Sequence, residues 1–281
     1  ATETLPGSGG GMALLNVGAV EMISNTVRGN VACPNDRGRG GAFYVQRSTA
    51  VTLTGNTIAD NVASQADIGL GGGGFIAFTS TLATMGNTWQ GNTATTGAAG
   101  AFGSYGYGGG LYPDGAGALT ATNDVWQENT ASEVGVGQGG GLYVEDSTLV
   151  LEGVNVRANT TGSGTLSGSG YGGGLYTTGD ATLNVSQTRF VDNVAVEGGG
   201  GLSLRGAALW FTNTLIAGNH AASEGAGASI KDAAHFLHAT IAGSTGAEGV
   251  YIGIGLDDDA ILNDSIIAGH TTGLYADGRV D

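Results

Sequence analysis

Residues 139–159 read GGGLYVEDSTLVLEGVNVRAN, and the order of these letters decides the fold. The three glycines open a sharp corner, because a side chain there would block the turn. Leu142 follows as the first inward-pointing residue. Leu149 and Leu151 lie two positions apart and so share one face of a strand. Val156 stands three before Asn159, and Asn159 closes the unit at a turn.

The same unit recurs along the whole chain. Its anchor is an asparagine at Asn30, Asn61, Asn92, Asn129, Asn159, Asn193 and Asn219, with degenerate copies at Ser244 and His270. Successive anchors are 25 to 37 residues apart. Three before each anchor lies Val27, Ile58, Trp89, Trp126, Val156, Phe190, Ile216, Ile241 or Ile267. Eight and ten before lie mostly apolar residues, such as Leu53 with Val51 and Phe211 with Leu209. The glycine corner returns as GGAFYV at Gly40, GGGFIAF at Gly72, GGGLYPD at Gly108, GGGLYTT at Gly172 and GGGLSLR at Gly199. Weaker copies start at Gly225, Gly249 and Gly273.

A coil of this length cannot bury its own apolar face, so the coils must stack. Each strand then pairs with its equivalent one coil away, and all sheets are parallel. The pattern predicts an all-β chain, a right-handed parallel β-helix of about nine coils, with residues 1–281 forming one domain. The first residue after each corner (Phe43, Phe75, Leu111, Leu142, Leu175, Leu202) is expected to point inward. The anchor asparagines are expected to form a ladder, because the amide both donates and accepts and asparagine tolerates left-handed turns. Extra residues in the longer coils fall between the anchor and the next corner, as in 93–107 and 160–171, and so map to one face of the rod. Both ends read as open coils, to be continued by further chain or covered by another chain.

Composition sets the setting. The chain has 56 glycines but only three prolines, so it is not collagen-like, and its regular apolar spacing argues against disorder. The formal net charge is −15, Lys231 is the single lysine, and the arginines are scattered. Nucleic acid and anionic membrane surfaces are therefore unfavoured partners. Cys33 stands alone, so no internal disulfide forms, and no apolar run is long enough to span a bilayer.

The paired words, a glycine corner with an apolar residue and an apolar-x-x-Asn turn, resemble the repeats of polymorphic outer-membrane proteins and related autotransporter passengers. The longer form, GGGLY followed by an IAGN-like segment, is similar to large secreted β-helix proteins. The resemblance runs from about Gly9 to Tyr275. It implies a β-helix displayed outside the cell or on its surface; residues 1–281 depart from that pattern in carrying no recognisable membrane barrel or anchor word.

Candidate sites are few. The second residue after the corner is expected to point outward, and it collects Tyr44, Tyr112, Tyr143, Tyr176, Tyr251 and Tyr275, with Ile76, Ser203 and Ile230. Such a column stabilises its sheet, packs against a neighbouring rod or stacks on sugar rings. A loosely acidic stripe runs through Gln46, Phe78, Asp114, Glu145, Thr178, Arg205 and Asp232. The run Asp257, Asp258 and Asp259 offers carboxylates that suit calcium, without the spacing of a known calcium loop. Lys231 beside Asp232 reads as a solvated pair. His235 and His238 are three apart on a strand and face opposite sides, which disfavours a shared metal. No catalytic set is assigned. The expectation is an extracellular structural or adhesive protein, partnered by itself, with assembly into fibres, or by surface glycans. The alternative is a carbohydrate-active β-helix (a lyase or hydrolase) or a glycan-binding module. A Thr-x-Thr ice-binding face has only isolated words, at 52–54 and 120–122.

Overall fold

The computed structural model describes residues 7–97, 104–162, 170–206, 208–253 and 260–277. The described elements are all strands, and every pair of neighbouring strands runs parallel, one coil apart in sequence. The chain is a parallel β-helix.

Three long sheets form its walls. The corner sheet has ten strands, from Met12–Leu15 to Leu274–Asp277. The leucine sheet has nine, from Ala19–Ile23 to Ala260–Asn263. The anchor sheet has nine, from Thr26–Arg28 to Ile266–Ala268. Register follows the repeat: Leu82 pairs with Val51 and Leu119, and Trp89 with Ile58 and Trp126. Each inward column therefore stacks like on like. Trp89 and Trp126 lie 6.3 Å apart at 24°, and Phe211 and Phe236 4.6 Å apart at 10°. These columns form one continuous buried core along the rod.

The corner needs glycine for two separate reasons. Gly139 sits at φ 66, in the left-handed region. At Gly140 an added Cβ would lie 2.3 Å from the Gly173 carbonyl oxygen, so the backbones of adjacent coils pass too closely for any side chain.

Two copies depart from the expected register. In the coil with four glycines, the left-handed residue is Gly71, so Gly74 and not Phe75 takes the first inward place. Phe75 pairs with Tyr44 and Tyr112 in the outer column, and Ile76 enters the core. The vacancy over Gly74 is filled by the ring of Phe43 from the previous coil, whose Cε2 would stand 2.7 Å from a Cβ at Gly74. Near the other end, Ala228 takes the place of Leu202, so Ser229 and not Ile230 belongs to the outer column.

The longer coils spend their extra residues on further sheets. After the anchor, Val31–Cys33, Val62–Ser64, Thr93–Thr95 and Thr130–Ser132 pair in a four-stranded sheet, and Cys33 is buried there. Just before the corner, six strands form what we term the roof sheet: Gly7–Ser8, Gly38–Arg39, Gly69–Leu70, Tyr105–Tyr107, Val136–Gln138 and Gly170–Tyr171. The last coils keep only short strands after the anchor, at Val194–Ala195, His220–Ala221 and Thr245–Gly246.

Candidate ligand-binding cleft on the aromatic seam

The anchor asparagines are structural. In each rung from Asn30 to Asn193, the side-chain Nδ2 and the backbone N–H both donate to Oδ1 of the next asparagine, up to Asn219. From Asn61 onward Nδ2 also donates to a carbonyl of the previous coil, as from Asn129 to Trp89 at 2.9 Å. The left-handed conformation falls on the residue before each asparagine: Gly29, Asp60, Gly91, Glu128, Ala158, Asp192 and Gly218, with φ between 52 and 67. The amide's two-way bonding, not a left-handed backbone, is what the position requires. The degenerate copies substitute weaker contacts: His270 lies 3.2 Å from the Ser244 carbonyl through Nδ1.

A second ladder escaped the sequence reading. Asn25, Asn56, Asn87 and Asp124, each five before an anchor, repeat the same bonding. Its signal is short, because the next rungs are Val154 and Thr188.

The outer tyrosine column is not an open surface. Tyr44, Tyr112, Tyr143 and Tyr176 are buried, at 3 %, 8 %, 6 % and 9 % exposure. The cause is the roof sheet, whose outward residues immediately precede each corner: Arg39, Leu70, Tyr107, Gln138 and Tyr171. Leu70, Tyr107 and Tyr171 pack against the column, and the Tyr107 ring meets Tyr143 at 5.2 Å and Tyr112 at 6.5 Å. Rings that both point away from the core touch across the corner, so the outer surface is re-entrant there. Tyr112 and Tyr143 meet edge to face at 4.6 Å, and Tyr143 stacks on Tyr176 at 5.3 Å. The Tyr112 hydroxyl donates to Glu145 Oε2 at 2.8 Å. Burial first, then this bond, holds the Tyr112 phenol far above its usual range; burial does the same for Tyr143. Asp114 is raised by burial and by Glu145 nearby. At the far end the tyrosines open: Tyr251 stacks on Tyr275 at 5.6 Å, and Tyr275 is 46 % exposed.

The seam is interrupted once between these stretches. In the roof column Tyr171 is followed by Gly198 and then Glu224. In the column beneath, Tyr176 is followed by Ser203 and then Ser229. Two small residues thus fall in the same coil, and a cleft of about 310 Å³ opens over Ser203. Gln138, Tyr171, Tyr176, Arg205, Glu224 and Lys231 line it together with Ser203. Lys231 Nζ binds Glu224 Oε2 at 2.7 Å and stands 4.3 Å from the centre of the Tyr251 ring. Lys231 is therefore not paired with Asp232, whose carboxylate accepts from the Gly206 N–H instead. The acidic stripe is also redrawn: Ala77 replaces Phe78 between Gln46 and Asp114, and Lys231 follows Ile230 in the place given to Asp232. Burial, then Glu197 and Glu224, raise the Tyr171 phenol, and Arg205 opposes them.

His235 lies flat against Trp210, 4.0 Å apart at 8°, and His238 occupies a left-handed turn at φ 52. Among the described residues no cluster of three metal-ligating side chains occurs. Asp257, Asp258 and Asp259 lie outside the described residues. Among the described residues no helix is long and apolar enough to cross a membrane. Comparison with known proteins finds no matching family model, no matching curated protein and no matching solved structure.

Proposed function

We propose that this chain is an extracellular or cell-surface adhesive protein, a rigid rod that holds a binding surface at a fixed position along its length. The observation that carries this reading is the asparagine ladder. Seven consecutive rungs, six of them fully buried, hold the coils in register. Polar groups are invested in shape, and shape is what a spacer or adhesin supplies. The repeat words, which resemble those of polymorphic outer-membrane proteins and autotransporter passengers, favour the same setting, and an acidic, lysine-poor surface suits partners other than nucleic acid. Self-association into longer rods belongs to the same proposal.

The test is adherence. Fluorescently labelled chain is applied to intact cells and to surfaces coated with neutral or acidic polysaccharides, and retention after washing is counted. Saturable retention on at least one surface is expected. Absence of retention on all of them, with the chain folded, overturns the adhesive reading.

A further inference from the structure

We propose that the cleft between Tyr171, Tyr176 and Glu224 is a subsite for a neutral, hydroxyl-rich sugar ring of a glycan. This rests on the adhesive reading above and names its site and ligand class.

The cleft exists because two ladders are broken together. From Tyr44 to Tyr176 the outer column holds only large aromatic side chains, and Leu70, Tyr107 and Tyr171 of the roof pack against it. Gly198 and Ser203 break both in one coil, and the space is walled rather than filled. An added Cβ at Gly198 would stand 3.2 Å from Tyr171 Cε1 and 3.0 Å from Glu224 Cβ, so Tyr171 and Glu224 close over the glycine and the cleft opens beside them, over Ser203. A volume of about 310 Å³ falls at the lower end of small-molecule sites.

The lining selects the ligand. Tyr171 supplies ring surface for the C–H face of a sugar, and the largely buried Tyr176 forms the apolar floor beside it. Gln138, Arg205 and Glu224 supply planar groups that donate or accept pairs of hydrogen bonds, which match neighbouring hydroxyls. The charge is balanced. Lys231 is bound to Glu224, and Arg205 acts on Tyr171 against Glu197 and Glu224. The lining holds Arg205 and Lys231 against Glu224, with Glu197 near Tyr171 as the fourth charge, so an anionic sugar gains little over a neutral one.

The intact chain is titrated calorimetrically with cellohexaose, maltohexaose, laminarihexaose and mannohexaose, and with hexagalacturonate as the acidic comparator. The variants are Ser203→Tyr, which restores the column and fills the cleft, and Tyr171→Ala, which removes one wall. At least one neutral hexasaccharide binds the wild type. Each variant weakens that binding by about tenfold or more, which is about 1.4 kcal/mol. Ser203→Tyr keeps the wild-type melting temperature or raises it, so its loss of binding is not a loss of fold. The proposal is overturned if no neutral hexasaccharide binds, if only hexagalacturonate binds, or if Ser203→Tyr and Tyr171→Ala bind as the wild type does. Surface adherence that survives Ser203→Tyr removes the cleft and leaves the adhesive reading. Hexasaccharide binding without surface adherence removes the adhesive reading and leaves the cleft.

Discussion

Asp124 stands in a rung of the second ladder that asparagine fills in the three preceding coils. Its Oδ1 accepts from the Asn87 N–H and from Asn87 Nδ2, as an amide oxygen does. Its Oδ2 is buried without a well-formed hydrogen bond, and the nearby Thr84 hydroxyl and Trp89 Nε1–H only partly offset the effect of burial on the carboxyl. The matching atoms of Asn56 and Asn87 are Nδ2 groups that donate to the Met22 and Leu53 carbonyls. A carboxylate cannot donate there, and burial holds Asp124 above its ordinary 3.8. A raised folded-state value means the stability Asp124 contributes is complete below about pH 3.8 and is lost as pH climbs through the raised value. Asp124→Asn should therefore stabilise the protein by about 1–2 kcal/mol at neutral pH and flatten that loss, read from urea midpoints across acidic to neutral pH. Asn129→Ala should do the reverse. It strands the Asn92 donors and removes two bonds of its own, at a cost of about 3–5 kcal/mol, whereas Asn30→Ala at the partly exposed first rung should cost about 1 kcal/mol. Denaturant midpoints of the two variants compare these directly. The anchor ladder was legible in the sequence because its residue type repeats for seven coils; the second was not, because its residue type holds for only three before Asp124.

At the level of the strand, side chains in one column compensate across coils. Phe43 fills the vacancy left by Gly74, so Gly74→Leu should crowd its ring and destabilise the protein by about 1–3 kcal/mol. Adding Phe43→Leu should recover most of that loss, because the column would then read leucine as it does at Leu111 and Leu142. Chemical denaturation of the two single variants and the pair gives the coupling. This exchange also explains a register error that sequence spacing invites. Four glycines in a row do not say which one begins the corner; the left-handed residue, Gly71, decides it. The roof was hidden for a related reason. Arg39, Leu70, Tyr107, Gln138 and Tyr171 span four residue types, and only their common place before a corner marks them as a column. Read without that column, the tyrosines appear as an open face. With it, they are a buried seam.

Across the whole molecule, the fold was legible because stacking needs only a periodic apolar pattern, and nine copies supply it. The cleft was not, because it depends on two unremarkable residues, Gly198 and Ser203, meeting in register between coils of unequal length. That interruption opens a cleft in the seam, and the rod's ladders fix where it sits. The most direct test of this account is to mix the purified chain with a panel of neutral and acidic polysaccharides and follow both association and polymer length. The account predicts that the chain co-elutes with at least one neutral polysaccharide whose length is unchanged after prolonged contact. Release of reducing ends or unsaturated products would show a catalyst, and absence of association across the panel would show a scaffold without a glycan site; either result contradicts it.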